Sequence, residues 1–129
     1  MSILRTEIGA PSNGSQRVAL GGRLDTHTYG ELDQALAPVL ANPAITSLVL
    51  DLAGLDYISS AGIRSVFKAR KALAARAGKV LVVNPQPQIQ KVFDMVKAVP
   101  LNEIFTSMAE ADAYLDAMQR KIVEGDDED

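Results

Sequence analysis

Residues 51–62 read DLAGLDYISSAG, and the fold turns on what this stretch joins. An apolar run, Leu48-Val49-Leu50, leads into it, and a helical pattern beginning near Ile63 leads out. Between them lie Ser59 and Ser60, with Gly62 two residues beyond the second serine. The start of a helix offers backbone N–H groups and a dipole that favour an anion. The stretch therefore reads as a β–α corner that presents a hydroxyl at a helix N-terminus.

Upstream, residues 47–52 form a continuous aliphatic strand with little alternation, the pattern expected where helices cover both faces of a sheet. Before it, Thr28 with Glu31 makes a capping-box signature. It opens a helix carrying Leu32, Leu36, Val39 and Leu40, which Asn42-Pro43 ends. Residues 2–9 and 17–20 read as two strands joined by a polar turn containing Asn13-Gly14, an N-terminal hairpin. Gly21-Gly22 breaks the second strand, and residues 23–25 resume it.

Downstream, the helix runs about four turns to Gly78, a good C-terminal stop. Ile63, Val66, Phe67, Leu73, Ala74 and Ala77 share one arc. Arg70 falls in the same arc, where it needs a buried partner or must snorkel to the edge. Residues 79–84 are another aliphatic strand, followed by a helix with Ile89, Val92, Phe93 and Val96 that Pro100 closes. Leu101, Ile104 and Phe105 form a short strand or plug the core. Ser107 with Glu110 is a second capping-box candidate, and it opens a helix with Ala111, Tyr114, Leu115, Met118 and Ile122 at core spacing. The expectation is a single α/β domain over residues 1–122, with a disordered acidic tail at 123–129. Its sheet is mixed and mostly parallel, of four to five strands, with about four helices.

Composition narrows the function. A chain of 129 residues suits one domain with a sizeable core. Net charge −3 and a pI of about 5.1 have the wrong sign for direct nucleic-acid binding. Without cysteine there are no disulfides, thiol nucleophiles or thiolate metal sites. His27, the one histidine, reads as a turn or capping residue, and no metal or cofactor is assigned. No basic segment followed by an apolar run suggests a signal peptide, and no window is apolar enough to span a bilayer. A cytoplasmic protein without membrane insertion is expected.

The chemistry concentrates at the serines. Either Ser59 or Ser60 can cap the following helix. The other is placed to accept a phosphoryl group, whose added negative charge the helix end favours. Ala61 and Gly62 keep the surroundings small, so a partner can approach closely. Arg64, Lys68 and Lys71, spaced i, i+4 and i+7, line one face beside the serines as a solvated stripe or a docking surface. Asp25, Asp51 and Asp56 lie at or near strand ends, yet the acidic pair and terminal lysine of an aspartyl-phosphate receiver are missing. Neither GxGxxG nor GxxxxGK is present, and no base, metal cluster or cofactor loop accompanies the serines, so no catalytic residue is assigned.

The segment LVLDLAGLDYISSAGIR, the later KVLVVNP and the earlier GGRLDTHT together resemble the STAS superfamily, in particular bacterial anti-anti-sigma factors, over roughly residues 2–120. The resemblance implies a non-enzymatic partner switch in transcription regulation. Unphosphorylated, such a protein binds an anti-sigma factor that is itself a serine kinase of the GHKL ATPase type, and so frees a sigma factor. Serine phosphorylation abolishes the binding, and a PP2C-type phosphatase restores it. Aligned on Gly62, the family's acceptor falls on Ser60. Ser59 occupies the usual aspartate position and becomes an alternative acceptor, while Ala61 replaces a second serine. Asp25, Ser59, Ala61 and Gly62 are expected to shape the phosphosite, and Thr26, Arg64, Lys68 and Lys71 to meet the partner. The alternative is a STAS interaction subunit that works unphosphorylated, for example on a lipid-transport ATPase.

Overall fold

The computed structural model describes residues 3–98 and 107–124. Its elements run β1 (Leu4–Ile8), β2 (Ser15–Leu24), α1 (Tyr29–Ala41), β3 (Ser47–Ile58), α2 (Ser60–Ala74), β4 (Lys79–Val83), α3 (Pro87–Ala98) and α4 (Met108–Val123). The expected hairpin is present: β1 pairs antiparallel with β2, Leu4 opposite Gly22 and Ile8 opposite Val18. At its tip the N–H groups of Ser12 and Ser15 donate to each other's carbonyls at 2.8 and 2.9 Å. Asn13 and Gly14 between them take φ of 51° and 80°, the left-handed pair of a two-residue hairpin turn.

β2, β3 and β4 are parallel, and the sheet order is β1-β2-β3-β4. Both parallel crossovers therefore step the same way across the sheet. Right-handed crossovers that never reverse put their helices on one face. Burial agrees, since Val18, Leu20, Leu24, Leu48, Leu50 and Leu52 are buried whereas Arg17, Arg23, Ala53 and Asp56 are exposed. This corrects the expectation of helices on both faces. Asp51 is buried next to the open face because the Arg17 guanidinium pairs with it and Asn84 donates to it. The Ala53 N–H, Arg17 and Asn84 together hold its carboxyl below the usual range.

β3 does not stop at Leu52. Its register against β2 moves from Ala19 opposite Asp51 to Gly21 opposite Gly54, then from Gly22 opposite Leu55 to Arg23 opposite Tyr57. Each shift inserts one residue into β3, a β-bulge. The buried positions pass from Leu48, Leu50 and Leu52 to Leu55 and Ile58, so the period of two fails while the strand continues. Asp51 and Asp56 consequently lie within β3. Gly22 also stays in strand: its φ is +89°, and a Cβ there would meet the Ile3 carbonyl at 1.9 Å.

The core takes Leu32, Leu36 and Val39 from α1, and Ile63, Val66, Ala69 and Leu73 from α2. It takes Ile89, Val92 and Val96 from α3, and Ala111 and Leu115 from α4. Ala69 replaces the expected Ala74 and Ala77, which are exposed, as is Arg70. The Arg70 guanidinium lies 5.6 Å from the centre of the Phe67 ring, the snorkelling outcome. Tyr114 is 49% exposed, and Gln119, one turn after Leu115, occupies the core position instead.

Two helix ends differ from expectation. Thr28 does not cap α1 with its side chain. Its hydroxyl accepts from the Asp25 N–H at 2.9 Å and donates to the Arg23 carbonyl at 2.9 Å, holding the preceding turn instead. α2 ends at Ala74, and Ala77 (φ 61°), not Gly78, takes the left-handed position. Arg76 just beyond α2 donates to the carbonyls of Leu40, Asn42 and Ile45 at 2.7–3.1 Å. It thereby satisfies the open C-terminal end of α1. The expected strand or plug at Leu101, Ile104 and Phe105, the Pro100 stop and tail residues 125–129 lie outside the described residues.

Candidate functional site

The bulged end of β3 delivers its chain to α2 through Ser59, an extended N-cap residue with φ −100° and ψ 176°. Its N–H donates to the Leu24 carbonyl at 2.9 Å, and its Oγ accepts from the Gly62 N–H at 3.4 Å. Ser59 is buried and makes the cap. Ser60 is the first residue of α2, and α4 crosses next to it. Asp112 Oδ1 accepts from the Ser60 N–H at 2.9 Å and from the Ser60 hydroxyl as well. Ser60 is only 1% exposed.

Ser60 borders a depression of about 520 Å³ lined also by Thr26, Tyr29, Asp33, Ala61, Arg64, Ser65, Lys68 and Asp112. Thus Ser60, Ala61, Thr26, Arg64 and Lys68 are brought together. Lys68 pairs with Asp33 of α1 at 3.1 Å. Lys71 faces a different, shallow groove with Phe67, Arg70 and Ala74. Asp25 is buried and is not among the lining residues. Its Oδ1 accepts from the His27 N–H at 2.9 Å, and its carbonyl accepts from the Tyr29 N–H at 2.9 Å. It sets the turn that holds Thr26 and Tyr29 at the rim.

Gly62 faces inward. A Cβ there would lie 2.7 Å from Leu24 Cγ, 2.9 Å from Ile58 Cγ1 and 3.0 Å from the Leu24 carbonyl. The glycine lets α2 approach the strand ends; it does not open space for a partner, as the sequence suggested.

Three residues of α4 that the sequence did not single out complete the corner. Gln119 is buried: its Nε2 donates to the Ile58 carbonyl at 2.8 Å and its Oε1 accepts from the Ile58 N–H at 2.9 Å. Asp112 holds Ser60. Tyr57 has Arg23 over its ring at 4.1 Å, and its phenol is pushed up to about 12, first by burial and then by the Asp116 charge. A polar Gln at a core step after Leu115 was the one readable signal. Among the described residues, no group of three or more His, Cys, Asp or Glu is placed to hold a metal ion.

The helix start and the Arg64 and Lys68 side chains favour an anion on one side of Ser60, while the Asp112 carboxylate opposes one on the other. The family model of the STAS domain matches residues 13–111. The chain is 29% identical over 76 residues to an anti-sigma F factor antagonist of Lysinibacillus sphaericus, covering 59% of this chain and 65% of that one. It is 35% identical over 74 residues to the putative anti-sigma factor antagonist BtrV of Bordetella bronchiseptica, covering 57% and 64%. The chain thus spans just under two thirds of these relatives. The phosphorylated form of the Bacillus cell fate determinant SpoIIAA superposes with a TM-score of 0.62 at 23% identity, covering 74% of this chain and 86% of that one. At that identity the likeness speaks for the fold. This chain belongs to the STAS domain family.

Proposed function

We propose that this STAS domain, taken as residues 1–122, is an anti-sigma factor antagonist switched by phosphorylation of Ser60. Unphosphorylated, it captures an anti-sigma factor that is itself a serine kinase of the GHKL ATPase type, and so frees a sigma factor. The kinase transfers the γ-phosphoryl group of ATP to Ser60 Oγ: an O–P bond forms, the bond to the β-phosphate oxygen breaks, ADP leaves and the hydroxyl gives up its proton. A PP2C-type phosphatase hydrolyses the ester and resets the protein. The setting is the cytoplasm; no described helix is long and apolar enough to cross a membrane.

The observation that carries this reading is Ser60 at the first position of α2, in the lining of a depression shared with Arg64 and Lys68. Ser59, whose Oγ is engaged by the Gly62 N–H as the cap and which is absent from that lining, is the weaker acceptor. A phosphoryl group there places roughly −1.5 to −2 charges where a partner must pack. The relatives named as anti-sigma factor antagonists support the antagonist role. The test is capture of a GHKL-type anti-sigma factor by immobilised variants. Ser60→Ala should bind like the unmodified chain and Ser60→Asp far more weakly; equal capture by both counts against the switch.

A second reading keeps the fold and drops the phosphorylation, leaving a contact-only STAS subunit on another complex such as a lipid-transport ATPase. The near-complete burial of Ser60 under Asp112 favours it. Intact mass after incubation with kinase and ATP separates the two.

A further inference from the structure

α4 is fastened to the Ser60 corner by polar side chains along one face. Asp112 uses one carboxylate oxygen for both the N–H and the hydroxyl of Ser60. Gln119, seven residues further and about two turns along, brackets Ile58 with a donor and an acceptor. Asp116 lies between them, close enough to raise the Tyr57 phenol. The two fasteners differ in kind. The Gln119 pair is neutral and reaches only backbone, whereas the Asp112 pair is charged and needs the hydroxyl proton of Ser60.

Phosphorylation removes that proton and sets a dianion against the Asp112 carboxylate, with Asp116 one turn beyond. Like charges this close repel at a part-buried corner. The same phosphoryl group has an alternative partner one turn along its own helix, because Arg64 lines the depression that Ser60 borders, whereas Lys68 is already paired with Asp33. Nothing comparable disturbs Gln119. We propose that α4 is a latch over the Ser60 corner, and that a phosphoryl group on Ser60 releases its N-terminal half while Gln119 keeps the other half docked. The proposal rests on Ser60 being the acceptor. It deepens that reading by naming what the modification moves: Asp112 leaves, Ala111 loses cover, and the edge of the partner-facing depression changes shape.

The experiment installs phosphoserine at position 60 of the full chain by genetic code expansion and follows amide hydrogen exchange, which reads local opening directly. No kinase is involved, so the outcome is independent of whether any kinase modifies Ser60. Amides of residues 112–117 should exchange roughly tenfold faster or more with phosphoserine present, with β3 unchanged and residues 119–123 less affected. Adding Asp112→Asn to the phosphoserine chain should restore protection, since a carboxamide carries no charge and can donate to the phosphoryl oxygens. Equal exchange with and without phosphoserine overturns the latch. So does acceleration spread over the whole chain, or acceleration that Asp112→Asn leaves in place.

Discussion

Asp112 and Ser60 lie 52 residues apart in the chain, yet one carboxylate oxygen of the first receives both the backbone N–H and the hydroxyl of the second. The first N–H groups of a helix have no partner within it, and here the partner comes from the last described helix. Truncating Asp112 therefore strands two buried donors at once. Asp112→Ala should lower unfolding stability by about 1–3 kcal/mol. Urea denaturation checks this, with the midpoint falling at an unchanged slope.

Gly62 offers a test of packing against propensity. Alanine is the better helix former by about 1 kcal/mol, but its Cβ would press on Leu24 and Ile58. One neighbouring atom is the Leu24 carbonyl, which cannot turn aside. Gly62→Ala should show a net loss of about 1–2 kcal/mol in chemical denaturation.

Arg76 stitches the end of α1 to the turn after α2 through three backbone carbonyls. Its planar fork reaches them together, which an ammonium cannot reproduce. Arg76→Lys should therefore recover little of the stability lost in Arg76→Ala, a loss of about 2 kcal/mol. Thermal unfolding of the two variants beside the parent measures the difference.

Tyr57 supplies a pH signature. Its unfolded phenol ionises near 10.0, whereas burial and the Asp116 charge hold the folded one protonated to about 12. Between those values the folded state binds more protons, so stability falls as pH rises. The contribution is complete below pH 10 and is lost as pH climbs through about 12. The stability difference between the parent and Tyr57→Phe, followed by denaturation from pH 9 upward, should shrink over this window. A constant difference would place Tyr57 in an ordinary solvated setting.

Much of the architecture could be read from local pattern. The Asn13-Gly14 turn, the helix over Leu32, Leu36 and Val39 and the run through Val80 all carry short-range signals, and all appear as expected. The apolar pattern of β3 stops at Leu52 because two bulges break its alternation there, and a bulge leaves no mark in a hydrophobic profile. Thr28 misled because a hydroxyl can serve the turn before a helix as readily as the helix itself. The corner at Ser59 and Ser60 was legible, since a cap and an apolar run fix it locally. Asp112, Asp116 and Arg76 were not. Each meets groups more than 30 residues away, and a polar side chain on a helix looks the same whether it faces water or a distant backbone. Gln119 was the exception, a polar residue at a core step.

The central claim is that Ser60 accepts a phosphoryl group. Phosphopeptide mapping after incubation of the full chain with a GHKL-type anti-sigma factor kinase and ATP tests it most directly. One added phosphoryl group per chain is expected, located on Ser60 and abolished in Ser60→Ala. Modification at Ser59, or none at all with a kinase that binds the chain, would contradict it.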